Sequence, residues 1–169
     1  MNESLEQVLK PREAKRQQAK ASILIEGLSG SGKSGLALLL AYGLAGKDWT
    51  KICATDTENK SLDLFDGTQM STGIKCDHFK KIDLLPTYGY SPQNYLLCKS
   101  NAIDVGAEVV INDSLTHMWH QEGGVLDLVT QVQLSNNKLN NYTAWGTNEV
   151  KTEKQAVYAC IRDARVHVI

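Results

Sequence analysis

A short apolar run, Ser22-Ile23-Leu24-Ile25-Glu26, stops at Gly27-Leu28-Ser29-Gly30-Ser31-Gly32-Lys33-Ser34, and a leucine-rich stretch begins at once on the far side. The run reads as a buried strand. Leu36 to Leu44, with Leu38, Leu39, Leu40 and Tyr42, reads as a helix apolar on most sides and closed by Gly46. A strand joined to a helix by a glycine loop constrains the chain to an α/β fold with parallel strands and right-handed crossovers. The linking residues Gly27 to Ser34 fill the pattern G-x-x-x-x-G-K-[ST] without exception. Glycines let the backbone close tightly round an anion with successive N–H groups pointing inward. Lys33 is placed to reach the β- and γ-phosphates and Ser34 to offer its hydroxyl to Mg²⁺. The helix that starts here turns its positive end, roughly half an elementary charge, toward the ligand. A nucleoside triphosphate is the expected ligand, and an ordinary Gly/Ser-rich connection is the plain alternative.

The rest of the chain repeats the alternation. Lys51-Ile52-Cys53-Ala54-Thr55 predicts a second strand ending at Asp56-Thr57-Glu58, and Phe79 to Leu85 a short third one. Ser91-Pro92 opens a helix, serine as cap and proline where its missing N–H costs nothing, that runs to about Val105 before Gly106. Glu108 to Asp113 is a fourth strand. Val125, Leu128, Val129 and Val132 recur at helical spacing. After the polar stretch Ser135 to Tyr142, a last helix is expected to open at Thr152-Glu153-Lys154-Gln155, with Val157, Cys160, Ile161 and Ala164 on one face. Val166-His167-Val168-Ile169 forms the fifth strand. Phosphates in such folds sit at the carboxyl ends of the strands, where the glycine loop, Glu58 and Asp113 all fall.

With 169 residues the chain is read as one domain, long enough to remove roughly 70% of its unfolded surface from water. Ahead of it, residues 1 to 20 form a basic arm with Lys10, Arg12, Lys15, Arg16 and Lys20 and a capping box at Ser4-Leu5-Glu6-Gln7. The arm is a solvated terminus or a contact for nucleic-acid phosphates. A formal net charge of −1 leaves room for a nucleic-acid partner only at a local patch. No stretch approaches the ~20 apolar residues of a membrane span and no signal-peptide core is present, so a cytoplasmic protein without membrane contact is expected. Cys53, Cys76, Cys98 and Cys160 form no C-x-x-C pair and read as buried reduced thiols. Asn141-Tyr142-Thr143 spells a glycosylation acceptor but reads as loop composition, as does the Asn-rich piece Asn136 to Asn141.

A phosphate loop needs a carboxylate to hold the Mg²⁺ shell, and Asp113 at the end of an apolar strand supplies one, although Asn112 departs from the apolar residue usual before it. The alternative role for Asp113 is a cap on the next turn. Ser114 stands where an acidic residue often follows, so a general base must come from elsewhere. Glu58, past the second strand, is the candidate to orient or deprotonate the attacking water; a surface glutamate in a turn is its plain reading.

At this point the residues resemble a family. Cys53-Ala54-Thr55-Asp56-Thr57-Glu58-Asn59-Lys60-Ser61-Leu62-Asp63 is similar to the segment of RecA-type recombinases in which a strand ends in Asp-x-Glu with the catalytic glutamate. Val110-Ile111-Asn112-Asp113-Ser114 is similar to their Mg²⁺ strand. The nearer resemblance is to phage-encoded AAA-type, RecA-like ATPases of DNA recombination gene clusters, through Asp113-Ser114-Leu115-Thr116-His117-Met118-Trp119, through Trp145, and through His167-Val168-Ile169. It spans residues 21 to 169. It implies a three-layer P-loop NTPase with a RecA-like, mostly parallel sheet, helices on both faces and chain-order strands 3-2-4-5-1. It further implies ATP and Mg²⁺ as cofactors, DNA recombination or replication as the process served, single-stranded DNA as a partner, and a ring or filament of like subunits. The family continues past the His-Val-Ile strand with a polar or arginine sensor and further strands. Without them the phosphate-loop strand is expected at a sheet edge, which is a liability, and turnover is expected to be weak.

His117 and His120, three apart, lack a third ligand at suitable spacing for a metal site; His117 instead is a candidate γ-phosphate sensor in the loop beyond the Mg²⁺ strand. Asn59-Lys60-Ser61-Leu62 misses the guanine-specifying N-K-x-D by one place. Trp49, Trp119 and Trp145 are expected in the core more than stacked on bases. Two rival functions stay open: a P-loop kinase of a small molecule or nucleotide, whose lid would need Arg162 and Arg165, and a non-hydrolysing nucleotide-binding module.

Overall fold

A computed structural model describes Pro11, Glu13, residues 19–163 and residues 165–169. The expected capping box and most of the basic arm lie outside the described residues, as does Ala164. Within them the chain runs through α1 (Lys33–Leu44), β1 (Ile52–Asp56), β2 (Lys80–Asp83), α2 (Pro92–Asp104), β3 (Val109–Asp113), α3 (Leu115–His120), α4 (Val125–Ser135), α5 (Asn141–Ala144), α6 (Asn148–Ile161) and β4 (His167–Val168). Short 3₁₀ turns cover Trp49–Lys51, Ser61–Phe65 and Pro86–Tyr88.

The four strands form one sheet in the order β2-β1-β3-β4, and every pair is parallel. In register, Asp56 of β1 lies opposite Asp113 of β3, so two carboxylates end adjacent strands at the same level. Alternation along the strands sends side chains to both faces. Ile52, Ala54, Val109 and Ile111 pack with Ala37, Leu38 and Ala41 of α1. Cys53, Val110 and Val168 pack on the other side with Ala102 of α2. Helices therefore cover both faces, and strands apolar on both sides are what a parallel sheet requires. On the second face α2 lies along α6. Lys99 of α2, only 4% exposed, donates to the carbonyl oxygens of Ala159 and Arg162 at the end of α6 and pairs with Asp163 at 3.2 Å.

The segment expected as the first strand is corrected. Ser22 makes a single parallel bridge to Val168, supported by hydrogen bonds from Val168 N to Ala21 O and from Ile23 N to Val168 O, and the pairing stops there. Ile23 and Ile25 still pack on the core. Strand assignment needs a partner along the whole length, and β4 itself pairs with β3 only over His167 and Val168. The last helix also begins earlier than expected, at Asn148, because Thr147 takes the capping position and Val150 is buried. Two short helices, α3 and α5, were not anticipated; Asn140 and Thr143 build a reciprocal capping box for α5 inside the polar stretch.

Elsewhere local chemistry and structure agree. Ser91 accepts the N–H of Asn94 at 3.2 Å ahead of Pro92. Gly46 follows α1 at φ 66°, the left-handed conformation that ends helices. All four cysteines are free and buried, and burial pushes the Cys53 and Cys76 thiols up to about 11 and the Cys160 thiol up to about 12. Trp49 is buried against Tyr42, but Trp119 is 36% exposed and stacks on Trp145 at 6.0 Å, so core burial holds for only one of those three. No helix among the described residues is long and apolar enough to cross a membrane.

Candidate functional site

The loop from Gly27 to Gly32 turns twice through left-handed backbone, at Gly30 (φ 76°) and Gly32 (φ 83°), where a side chain would be strained. Gly32 occupies the capping position of α1 and offers no side-chain cap, so N–H groups of the first turn have no partner within the helix. At Gly27 the loop closes on itself: an added Cβ would sit 2.7 Å from the Ser31 hydroxyl oxygen. The Lys33 ammonium reaches back to the carbonyl oxygens of Gly27 and Leu28 at 3.0 and 2.8 Å, holding its charge over the loop. α1 thus presents Lys33 and Ser34 at its amino end, beside the carboxyl ends of β1 and β3.

A cleft of about 420 Å³ opens above this end of the sheet. The loop supplies one wall through Gly27, Ser29, Gly30, Gly32, Lys33 and Ser34. Glu58, Asp113, Ser114 and His117 supply the other. The structure therefore gathers into one cleft residues that the chain separates widely. Leu28 stands out into solvent at the loop tip, and neither it nor Ser31 lines the cleft.

Asp113 is 9% exposed, and its Oδ2 atom is buried without a hydrogen-bond partner. Burial raises its pKa, with the carboxylates of Glu58 and Asp56 adding to the rise and the Ser34 hydroxyl and Lys33 opposing it. An orphaned buried carboxylate oxygen beside a hydroxyl is a hard-oxygen donor pair of the kind Mg²⁺ accepts, so the residues present fit that ion. The capping role for Asp113 does not hold, since Ser114 is the residue ahead of α3. No group of three or more His, Cys, Asp or Glu side chains able to hold a metal occurs among the described residues. His117 and His120 lie in α3 and not in a loop, and His120 is exposed.

Glu58 is exposed at the start of a turn that Asp56 builds. Asp56 is 2% exposed and accepts the N–H of Glu58 at 2.8 Å and that of Leu62 at 3.1 Å, one on each oxygen. Lys81 stands 3.6 Å from the same carboxylate and 2.7 Å from both Asp63 and Asp83. Burial alone would lower the Lys81 pKa, but its three acidic neighbours outweigh that and raise it. The first acid of Asp-x-Glu thus shapes the turn, leaving the second free to face the cleft.

Thr57, between them, was not singled out in the sequence. Its N–H donates to the Asp113 carbonyl at 2.8 Å, its hydroxyl accepts the Ser114 N–H at 2.9 Å, and His117 Nδ1 lies 2.6 Å from that hydroxyl. Tyr95, fully buried in α2, donates its hydroxyl to the Ser114 carbonyl at 2.8 Å. A place between two acids, directly after a strand buried along its whole length, was the available sign for Thr57; nothing in local pattern marks Tyr95. Arg162 and Arg165 precede the amino end of β4, at the sheet edge away from the cleft, and Arg165 is bound to Asp163 at 2.9 Å. Comparison of the chain with family models, with curated proteins and with solved structures finds no match.

Proposed function

We propose that the chain binds ATP with Mg²⁺ and hydrolyses it, as a RecA-like P-loop protein. One observation carries the reading: a glycine loop, its lysine and serine, and two carboxylates from the ends of separate parallel strands line a single cleft. Supporting the finer fold reading, the four-strand order β2-β1-β3-β4, with one bridge from Ser22 to β4, is compatible with a 3-2-4-5-1 sheet. In this site the loop N–H groups from Gly27 to Gly32 bind the phosphates, and Lys33 neutralises charge that builds on the β- and γ-oxygens. Ser34 and Asp113 would hold Mg²⁺, which when bound neutralises charge on the phosphate oxygens. Glu58 orients the attacking water and accepts its proton, and His117 faces the γ-phosphate end as a sensor. Service in DNA recombination or replication, with single-stranded DNA and further copies of the chain as partners, rests on the family resemblance alone.

The test is phosphate release and nucleotide affinity measured together. Glu58→Gln is expected to keep the affinity of the parent protein and to lower turnover roughly 10²- to 10⁴-fold. Lys33→Ala is expected to lose affinity as well. A parent protein that binds Mg-ATP without releasing phosphate would be a binding module, and transfer of phosphate to a nucleoside would make it a kinase.

A further inference from the structure

We propose that Thr57 is the positioning residue of this site: its single hydroxyl sets the tautomer of His117 and locks the Glu58 turn to the end of β3. The inference rests on the nucleotide reading above and deepens it. Thr57 is 5% exposed and stands at the meeting point of three pieces of the cleft. Its backbone carries β1 into the turn that presents Glu58, its N–H binds the carbonyl of Asp113, and its oxygen receives the N–H of Ser114. The hydroxyl proton has three acceptors within reach: His117 Nδ1 at 2.6 Å, the Asp113 carbonyl at 3.2 Å and the Ser114 carbonyl at 3.4 Å. It goes to the nearest. A neutral imidazole that accepts at Nδ1 carries its own proton on Nε2. Nε2 has no hydrogen-bond partner among the described residues, and His117 lines the cleft, so the ring is left with a donor for an anionic oxygen there. Tyr90 stacks on the ring at 5.0 Å and fixes its plane. The same hydroxyl thus prepares the ring to meet the γ-phosphate and holds the candidate base at a fixed distance from the Asp113 end.

Valine has the shape of threonine without the hydroxyl, and serine keeps the hydroxyl, so the pair separates chemistry from packing. ¹⁵N-edited NMR of the imidazole at about pH 8, where an ordinary histidine is neutral, reads the tautomer without any nucleotide. The parent protein and Thr57→Ser are expected to carry the proton on Nε2, and Thr57→Val to show a mixture of tautomers. In turnover, Thr57→Val is expected to lose about 10- to 100-fold while Mg-ATP affinity stays within about threefold, the scale of a misplaced catalytic group. Thr57→Ser should restore turnover to within about threefold. Combined with His117→Ala, Thr57→Val should cost less than the two separate losses multiplied, as residues acting through one contact do. A parent ring protonated on Nδ1, undiminished turnover in Thr57→Val, or a Thr57→Ser protein as slow as Thr57→Val would each overturn the proposal. A parent protein that bound no nucleotide would overturn the function reading instead, and the tautomer measurement would still decide the role of Thr57. Should Thr57→Val fail to fold, the parent and Thr57→Ser spectra decide it.

Discussion

At the scale of single residues, one group of the site weakens the fold. Asp113 ends β3 with its carboxylate out of water and one oxygen unpartnered, and its pKa is raised by that burial. For an acid with a raised folded value, the native state binds a proton before the unfolded chain does as pH falls. Stability linked to this group therefore increases on acidification through the window between its folded value and the ordinary carboxylate value, and the penalty is full above that window. Asparagine keeps the shape and removes the charge. Asp113→Asn is expected to melt a few degrees above the parent protein at neutral pH, about 2–4 °C for each kcal/mol relieved. The gap should narrow as pH falls toward about 4, and the same variant should lose its Mg²⁺-dependent gain in nucleotide affinity. A lower melting temperature at neutral pH would mean that the carboxylate is better satisfied in the fold than its orphaned oxygen implies. Asp163 is the opposite case: its hydrogen bonds to Arg165 outweigh partial desolvation and hold it well below the usual carboxylate range, so its contribution is lost in acid.

At the scale of elements, what was legible in the sequence depended on whether the cause was local. Ser91-Pro92 names the start of α2 because cap and proline act within one turn, and Gly46 marks the end of α1 for the same reason. That the glycine loop, Glu58 and Asp113 would meet was readable because a parallel sheet brings the carboxyl ends of its strands to one rim, and the register sets Asp56 opposite Asp113 there. The segment Ser22–Glu26 was misread as a full strand because apolar periodicity reports burial, not pairing, and the pairing is confined to one bridge. Lys99 was passed over although it sits on the same stripe of α2 as Tyr95, Cys98 and Ala102, where a charge needs a buried partner. That partner is the end of α6, far away in the chain. Lys99→Met keeps much of the side-chain volume but frees the carbonyls of Ala159 and Arg162 and leaves Asp163 with Arg165 alone. Breaking such a buried pair from one side costs about 3 kcal/mol or more. Urea unfolding should show the midpoint falling at unchanged slope; a midpoint at the parent value would mean that α6 is held by its apolar face and not by this clamp.

At the scale of the whole molecule, a glycine loop on one side of the cleft and strand ends on the other would make the proposed nucleotide a brace between them. A ligand that binds only the folded chain stabilises it by mass action, about 2.7 kcal/mol at a concentration one hundred times its dissociation constant. For a chain of this size that corresponds to a rise of roughly 5–10 °C in melting temperature. ATP with Mg²⁺ is expected to give this rise, ATP with a chelator a smaller one, and Lys33→Ala almost none. In the proposed site the glycine loop would hold phosphates common to all nucleotides, and N-K-x-D is missed by one place, so GTP at equal concentration should give a shift no larger than that of ATP. Size exclusion under the same conditions reads whether the brace also recruits a second copy, as the RecA-like reading expects. Equal melting temperatures with and without Mg-ATP, at concentrations up to the millimolar range, would remove the polyphosphate from the cleft, and with it the role assigned to every residue on either wall.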